Sequence, residues 1–395
     1  MKVVQRVLFL QWLAVCLAKA FQRPTDVRIR RCRLPYAPNR PLGEWGSTLN
    51  ADNANERVGA RKFRRLPFAD CQSVDEVIQL AAENIDELPF YSASVWTSIS
   101  RLLSRRPNRQ PLSRKEDEGR EIRQQIIDII EQTMNSHKTL RPQELTTIIL
   151  GMAKTAKQTN DALLLKRRVN IYQISLRNFL LDHKSRPKRR IFLPLAEAVN
   201  DTLYRFEPRQ LSNVAYAFAL LRYDQKLKNG SSLLERIALE SLNSIDQFNS
   251  QDISNMLWAY ASLKVPHPPL FQSLGDAVAN MPDLTGFKPQ ALANIVWAFA
   301  SMDFHHTGLF QKVGDAVVSF NDLELFTPQN LSNLVWAYGT AGEAHPSLFR
   351  KLEHAIELYD LNSFKPEELM QLQQYSTMVD SRKLNVPLLQ PIGVK

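Results

Sequence analysis

Four segments of this chain spell one phrase. The clearest copies are Phe287-Lys-Pro-Gln-Ala-Leu-Ala-Asn294-Ile-Val-Trp297-Ala-Phe299-Ala and Phe326-Thr-Pro-Gln-Asn-Leu-Ser-Asn333-Leu-Val-Trp336-Ala-Tyr338-Gly. Upstream stand Phe248-Asn-Ser-Gln-Asp-Ile-Ser-Asn255-Met-Leu-Trp258-Ala-Tyr260-Ala and Phe206-Glu-Pro-Arg-Gln-Leu-Ser-Asn213-Val-Ala-Tyr216-Ala-Phe218-Ala, so the Asn positions step by 42, 39 and 39 residues. A fixed period of this length marks a stack of supersecondary units rather than one central core. At 395 residues the chain is also longer than a single core usually supports. Weaker copies begin at Leu140, at Phe364 and at Phe90, the last running through Ala93 to Trp96. Outer units of an array are expected to depart from the consensus because they cap it.

Each unit predicts two helices. Pro or Ser falls where the first helix opens, and Pro is tolerated in a first turn because its missing N–H would be unpaired there anyway. Leu292, Ile295, Val296 and Phe299 then recur at i, i+3, i+4 and i+7, one apolar helix face. A breaker such as Val265-Pro266-His267-Pro268-Pro269 or His345-Pro346-Ser347 follows. The second helix is expected from Leu270-Phe271, Leu309-Phe310 or Leu348-Phe349, running through Ala277, Ala316 and Ala355, small residues that would let neighbours approach. The fold expected is all-α, an α-solenoid of stacked antiparallel helix pairs with about 38–42 residues per repeat, occupying 85–395 and clearest over 206–358. Stacking such pairs gives a long inner groove suited to a linear partner. Residues 51–84 read as a linker or a first helix. Two basic insertions interrupt the stack: 104–118, read as a solvated linker, and His183-Lys-Ser-Arg-Pro-Lys-Arg-Arg190, which follows a helical segment expected from Asp161 to Leu181.

The N-terminus reads as an address. Lys2 and Arg6 precede an apolar run from Val7 to Leu17, and Ala18-Lys19-Ala20 is a signal-peptidase pattern. That run is short for a membrane span. Residues 1–20 are therefore expected to be a signal peptide, and 21–50, rich in Arg and poor in acid, a transit-peptide-like segment. Ala18-Lys19-Ala20-Phe21 resembles the bipartite presequence of algae with secondary plastids, which favours a plastid over a mitochondrion. The alternative is secretion, in which the sequons at Asn200 and Asn229 would accept glycans. Only Cys16, Cys32 and Cys71 occur, which argues against a disulfide-bearing secreted body.

Charge is distributed unevenly. The total is +10, made of +7 in residues 1–50, +8 in 51–200 and −5 in 201–395, so the most regular part is mildly acidic. A general appeal to basicity as evidence for nucleic acid fails here. There is no Walker loop, dinucleotide turn, HExxH or nucleophile elbow. The seven histidines look scattered, and His305-His306 falls in an inter-helix turn rather than at metal-ligand spacing on one helix face. No enzyme, cofactor, metal or small-molecule substrate is expected, nor a membrane for the mature form.

The phrase Pro-Gln-x-Leu-Ser/Ala-Asn-x-x-Trp-Ala-Tyr/Phe-Ala resembles the repeats of the octotricopeptide-repeat proteins and the FAST-kinase-like, leucine-rich family, over roughly 85–378 and best over 206–350. Similar repeats occur in components of RNA-editing substrate-binding complexes. The resemblance implies an α-solenoid that binds single-stranded organellar RNA and acts in transcript processing, stability or translation, beside other proteins of RNA metabolism. The C-terminal RAP domain of many relatives is not evident. A protein-binding scaffold of the armadillo or tetratricopeptide kind is the alternative, and it needs no positive groove.

Candidate RNA contacts follow from both lines. Asn213, Asn255, Asn294 and Asn333 could pair with base edges or bond backbone groups of the next repeat. A residue identical in every unit cannot encode differences between bases, so specificity would have to come from variable positions. Gln210, Asp252, Ala291 and Asn330 vary as a reading position or a drifting surface would. Tyr216, Trp258, Trp297 and Trp336 could stack on bases or pack between repeats. Lys184, Arg186, Lys188, Arg189 and Arg190 could hold phosphates, in which case binding falls with salt, or form a solvated loop.

Overall fold

The computed structural model describes residues 66–104, 116–164, 171–223 and 226–372. The two presequence segments, residues 51–65 and most of the first basic insertion lie outside them. From Phe68 onward the described residues belong to one compact unit. Among them the secondary structure is helical, apart from one isolated bridge between Leu181 and Pro187.

In chain order the helices are α1 (Val74–Glu83), α2 (Leu88–Ser104), α3 (Glu116–Ser136), α4 (Pro142–Leu164), α5 (Ile171–Leu180), α6 (Arg189–Thr202), α7 (Pro208–Leu220), α8 (Leu233–Leu242), α9 (Ser250–Leu263), α10 (Pro268–Asn280), α11 (Pro289–Ser301), α12 (Thr307–Ser319), α13 (Pro328–Ala341) and α14 (Pro346–Glu357). Residues 366–372 open a further helix. The four phrases are α7, α9, α11 and α13, each paired with the helix after it. The first helices α2, α4, α7, α9, α11 and α13 pack side by side in sequence, and α8, α10, α12 and α14 form a looser second row. This is the expected α-solenoid.

The front of the phrase is a helix start. Phe206, Phe248, Phe287 and Phe326 precede the N-cap residue and are buried, as are Leu211, Ile253, Leu292 and Leu331 at the fourth helical position. That is the arrangement of a hydrophobic staple, which fixes the angle at which the chain enters the helix. The third helical residue folds back onto the cap. Its side-chain oxygen accepts the N-cap backbone N–H at 3.1 Å in the pair Glu207/Gln210, 3.3 Å in Asn249/Asp252 and 3.1 Å in Thr327/Asn330. The flanking units do the same, with Arg141/Glu144 at 2.9 Å and Lys365/Glu368 at 2.8 Å. Only side chains with an acceptor can do this, and Ala291 cannot; its N-cap Lys288 makes no side-chain cap bond.

Behind this start the first helices are lined with small residues. Ala215, Ala217, Ala259, Ala293, Ala298 and Ala337 are all buried, which lets the row close up. Between α2 and α4 the approach is closer still. A methyl group on Gly151 would lie 2.8 Å from Trp96 Cβ and 2.9 Å from the Trp96 carbonyl carbon and oxygen. Trp96 itself is buried and donates its indole N–H to Thr133 Oγ1 at 3.3 Å, tying α2 to α3 as well.

A second ladder runs along the other row. His267, His306 and His345 are each the N-cap of a second helix, and Nδ1 accepts the backbone N–H three residues on, at 3.1, 3.1 and 3.2 Å. Nε2 of the same rings faces a carboxylate of the preceding second helix: Glu235 at 3.6 Å, Asp276 at 3.1 Å and Asp315 at 3.2 Å. An Nδ1 that accepts an N–H carries no proton, so Nε2–H is the donor to the carboxylate. Room for the rings comes from Gly275 and Gly314, where a Cβ would fall 3.1 Å from His306 Nε2 and 2.6 Å from His345 Nε2. Ala277 and Ala316, expected to permit close approach, are only half-buried; the glycines two residues earlier do that job. The rows are joined by Tyr260, whose hydroxyl donates to the Leu234 carbonyl at 2.5 Å, and Tyr338, which donates to the Phe310 carbonyl at 2.5 Å. Burial raises both phenols well above their ordinary range, keeping them neutral donors.

Four expectations need correction. The Phe90 copy is out of register: Phe90 is 62% exposed where the other repeat phenylalanines are buried, and Trp96 is a core residue. Residues 116–118 are not linker but the first turn of α3. The stretch 161–181 divides into the end of α4 and all of α5, with 165–170 outside the described residues. The histidines are not scattered, since three of them recur at 39-residue steps as helix caps. Among the described residues no helix is long and apolar enough to cross a membrane.

Candidate nucleic-acid interface

One stripe of each first helix is only partly covered, although its sixth residue is buried in α9 and α13. It runs from the second helical residue through the sixth, the ninth and the thirteenth, positions that share a helix face. In α9 these are Gln251, Asn255, Trp258 and Ser262, and in α11 they are Gln290, Asn294, Trp297 and Ser301. The flanking stripes are Arg209, Asn213, Tyr216 and Leu220 in α7, and Gln329, Asn333, Trp336 and Thr340 in α13. The amide at the second residue is exposed and the ring at the ninth half-exposed in all three Trp-bearing helices.

The asparagines contact one another rather than backbone groups. Asn255 Nδ2 donates to Asn213 Oδ1 at 3.4 Å, and Gln371 Nε2 donates to Asn333 Oδ1 at 3.2 Å. Gln251 Nε2 donates to Asn255 Oδ1 at 2.8 Å. The link between repeats is therefore side chain to side chain where these bonds are made, with Asn255 and Asn333 buried. Of the two roles expected for the rings, packing between repeats is seen at one pair. Tyr216 and Trp258 meet at 5.1 Å between centroids, tilted at 48°, and both residues are only partly buried. Burial raises the Tyr216 phenol.

The variable position lies elsewhere. Gln210, Asp252 and Asn330 are buried, with their oxygens committed to the caps described above. Asp252 Oδ1 also accepts from Ser212 Oγ at 2.9 Å, and Gln210 Nε2 donates to Gln143 Oε1 at 3.3 Å, so the side chains at this position join consecutive first helices. They sit beneath the stripe, not on it.

The stripe is almost free of charge. The first helices from Pro208 to Ala341 carry Arg209, the buried Asp252 and no other ionisable acid or base apart from tyrosine. The acidic balance of this half belongs to the second helices and the turns. Toward the N-terminal side the face gains one cation, Lys154, which occupies in α4 the place of Leu220; Lys157, which follows, is paired with Asp161 at 2.9 Å.

The second basic segment is a tight turn and a helix start rather than a loose loop. Asp182 Oδ1 accepts the backbone N–H groups of Lys184 at 2.8 Å and Arg186 at 2.9 Å, and its other oxygen pairs with Arg186 Nε at 2.9 Å. Those bonds, the Arg186 N–H first, hold the Asp182 carboxyl below its usual range. Lys188 Nζ donates to the Asn178 carbonyl at 2.5 Å, satisfying an end of α5, and burial followed by the Arg190 charge lowers its pKa. Arg189 and Arg190 are exposed in the first turn of α6, and Lys184 projects from the turn. Three cations at the positive end of a helix repel its dipole and one another. Arg186 and Lys188 serve the fold; Lys184 and Arg190 have no side-chain partner among the described residues.

Among the described residues no three His, Cys, Asp or Glu side chains converge as a metal site would require. Compared with protein-family models and with curated proteins, the chain gives no match in either.

Proposed function

We propose that this protein binds single-stranded RNA along its first helices and acts in post-transcriptional RNA metabolism in an organelle, a plastid by the character of its presequence. The observation that carries the proposal is the stripe itself: one amide and one half-open ring per repeat, in register, on an uncharged surface. Unstacked bases need flat apolar faces to lie on and hydrogen-bonding groups at their edges, and single-strand binders supply both. Phosphate affinity comes from the basic end of the same body, where Lys154, Lys184, Arg189 and Arg190 are found.

The test is a salt series with the full chain and a single-stranded RNA, beside the variant Lys184→Ser/Arg190→Ser. These two side chains are chosen because replacing Arg186 or Lys188 would also undo the turn and the end of α5. Affinity should fall steeply with salt, and the variant should bind more weakly at low salt with a slope reduced by about 1.4, as loss of two phosphate contacts predicts for single strands. Absence of binding at low salt would end the RNA proposal and leave the protein-scaffold alternative, for which an uncharged amide and ring surface is equally serviceable.

A further inference from the structure

From the uniformity of the stripe we infer that the protein recognises a tract of one repeated base and is insensitive to base order within mixed RNA; this rests on the RNA reading above. A helical-repeat protein reads order only if the groups facing successive bases differ from repeat to repeat. Here the groups that differ do not face the ligand. Gln210, Asp252 and Asn330 differ because any acceptor serves as a helix cap, Ala291 is buried without one, and the three cap bonds are ones a base contact would break. The groups that face outward do not differ: exposed Gln251, Gln290 and Gln329 with partly exposed Trp258, Trp297 and Trp336 are three copies of one contact set, laid over a row of asparagines.

The chemistry of that set points the same way. Stacking on an indole tolerates every base, since every base has a π-face. The oxygens of Asn213, Asn255 and Asn333 accept bonds from Asn255, Gln251 and Gln371, which leaves the exposed glutamine amides, each with N–H donors and an oxygen acceptor, as the polar groups at the surface. Successive repeats therefore present the same ring and the same carboxamide to successive nucleotides. The best ligand is one whose units are also the same, each able to pair with a carboxamide. Where a mixed RNA lies on this face, permuting its bases moves favourable and unfavourable contacts among equivalent sites and leaves their total unchanged.

The experiment measures binding of the full chain to an 18-nucleotide mixed RNA, three shuffles of it with identical composition, and oligo(U), oligo(A) and oligo(C) of equal length. The four mixed RNAs should bind within about twofold of one another, and one homopolymer should bind at least about tenfold more tightly than any of them. In Asn330→Asp, which keeps the cap acceptor, the ranking of the seven RNAs should not change. A shuffle favoured about tenfold over its siblings, or a ranking altered by Asn330→Asp, overturns the inference while leaving RNA binding intact. Failure of all seven to bind overturns the RNA reading itself.

Discussion

Gly151→Ala should destabilise the protein by about 2 to 3 kcal/mol, the cost of overpacking a closed core. The sign is what makes the result informative. In an exposed helix interior the same exchange stabilises by roughly 1 kcal/mol, because alanine has the better helix propensity. Every other first helix from α7 on has alanine at this place: Ala217, Ala259, Ala298 and Ala337. Gly151 differs because what it meets is Cβ and backbone of Trp96, which cannot swing aside as the end of a flexible side chain could. Relief requires α2 and α4 to separate, opening the indole bond to Thr133. Stability in a stacked array is largely local. Hydrogen exchange should therefore accelerate in α2 and α4 and stay unchanged in α11 to α14, alongside a lowered urea midpoint. An unchanged or raised midpoint would contradict the close approach of these helices.

Replacing Trp258, Trp297 and Trp336 together by leucine should weaken RNA binding at least about a hundredfold. Stacking of one base on an aromatic side chain contributes about 1 to 3 kcal/mol, and three such platforms are lost at once. Leucine keeps apolar bulk on the buried side of each position, so thermal unfolding should move by only a few degrees. The corresponding phenylalanine variant retains three π-faces and should keep most of the affinity. Equal weakening in both variants would assign these rings to packing alone.

Much of the fold is legible in the phrase once its parts are separated. Phe-x-Pro-x-x-Leu is a staple, a first-turn proline and a cap, all local devices with sequence signatures, so the helix starts and the 39-residue period are plain from residues alone. The third helical position is harder. A variable polar residue there looks like surface, and whether its side chain turns back onto the N-cap depends on backbone geometry that composition does not carry. His267, His306 and His345 are inconspicuous for a different reason: by the spacing of metal ligands they look scattered, whereas at the repeat period all three align. That Gly275 and Gly314 make room for two of these rings is visible only in the packing. The Asn and Trp positions stand out as repeated, yet the same helical spacing describes a core and an open stripe equally well. That the three Trp are partly exposed while Asn255 and Asn333 are buried is a tertiary fact, decided by how closely the first helices approach.

The most direct measurement is ultraviolet cross-linking of bound single-stranded RNA to the full chain, with the modified residues mapped by mass spectrometry. The account predicts adducts on the first helices, centred on Trp258, Trp297 and Trp336, with further adducts near Lys184 and Arg190. Binding accompanied by adducts confined to α8, α10, α12 and α14 would contradict it and move the interface to the opposite row.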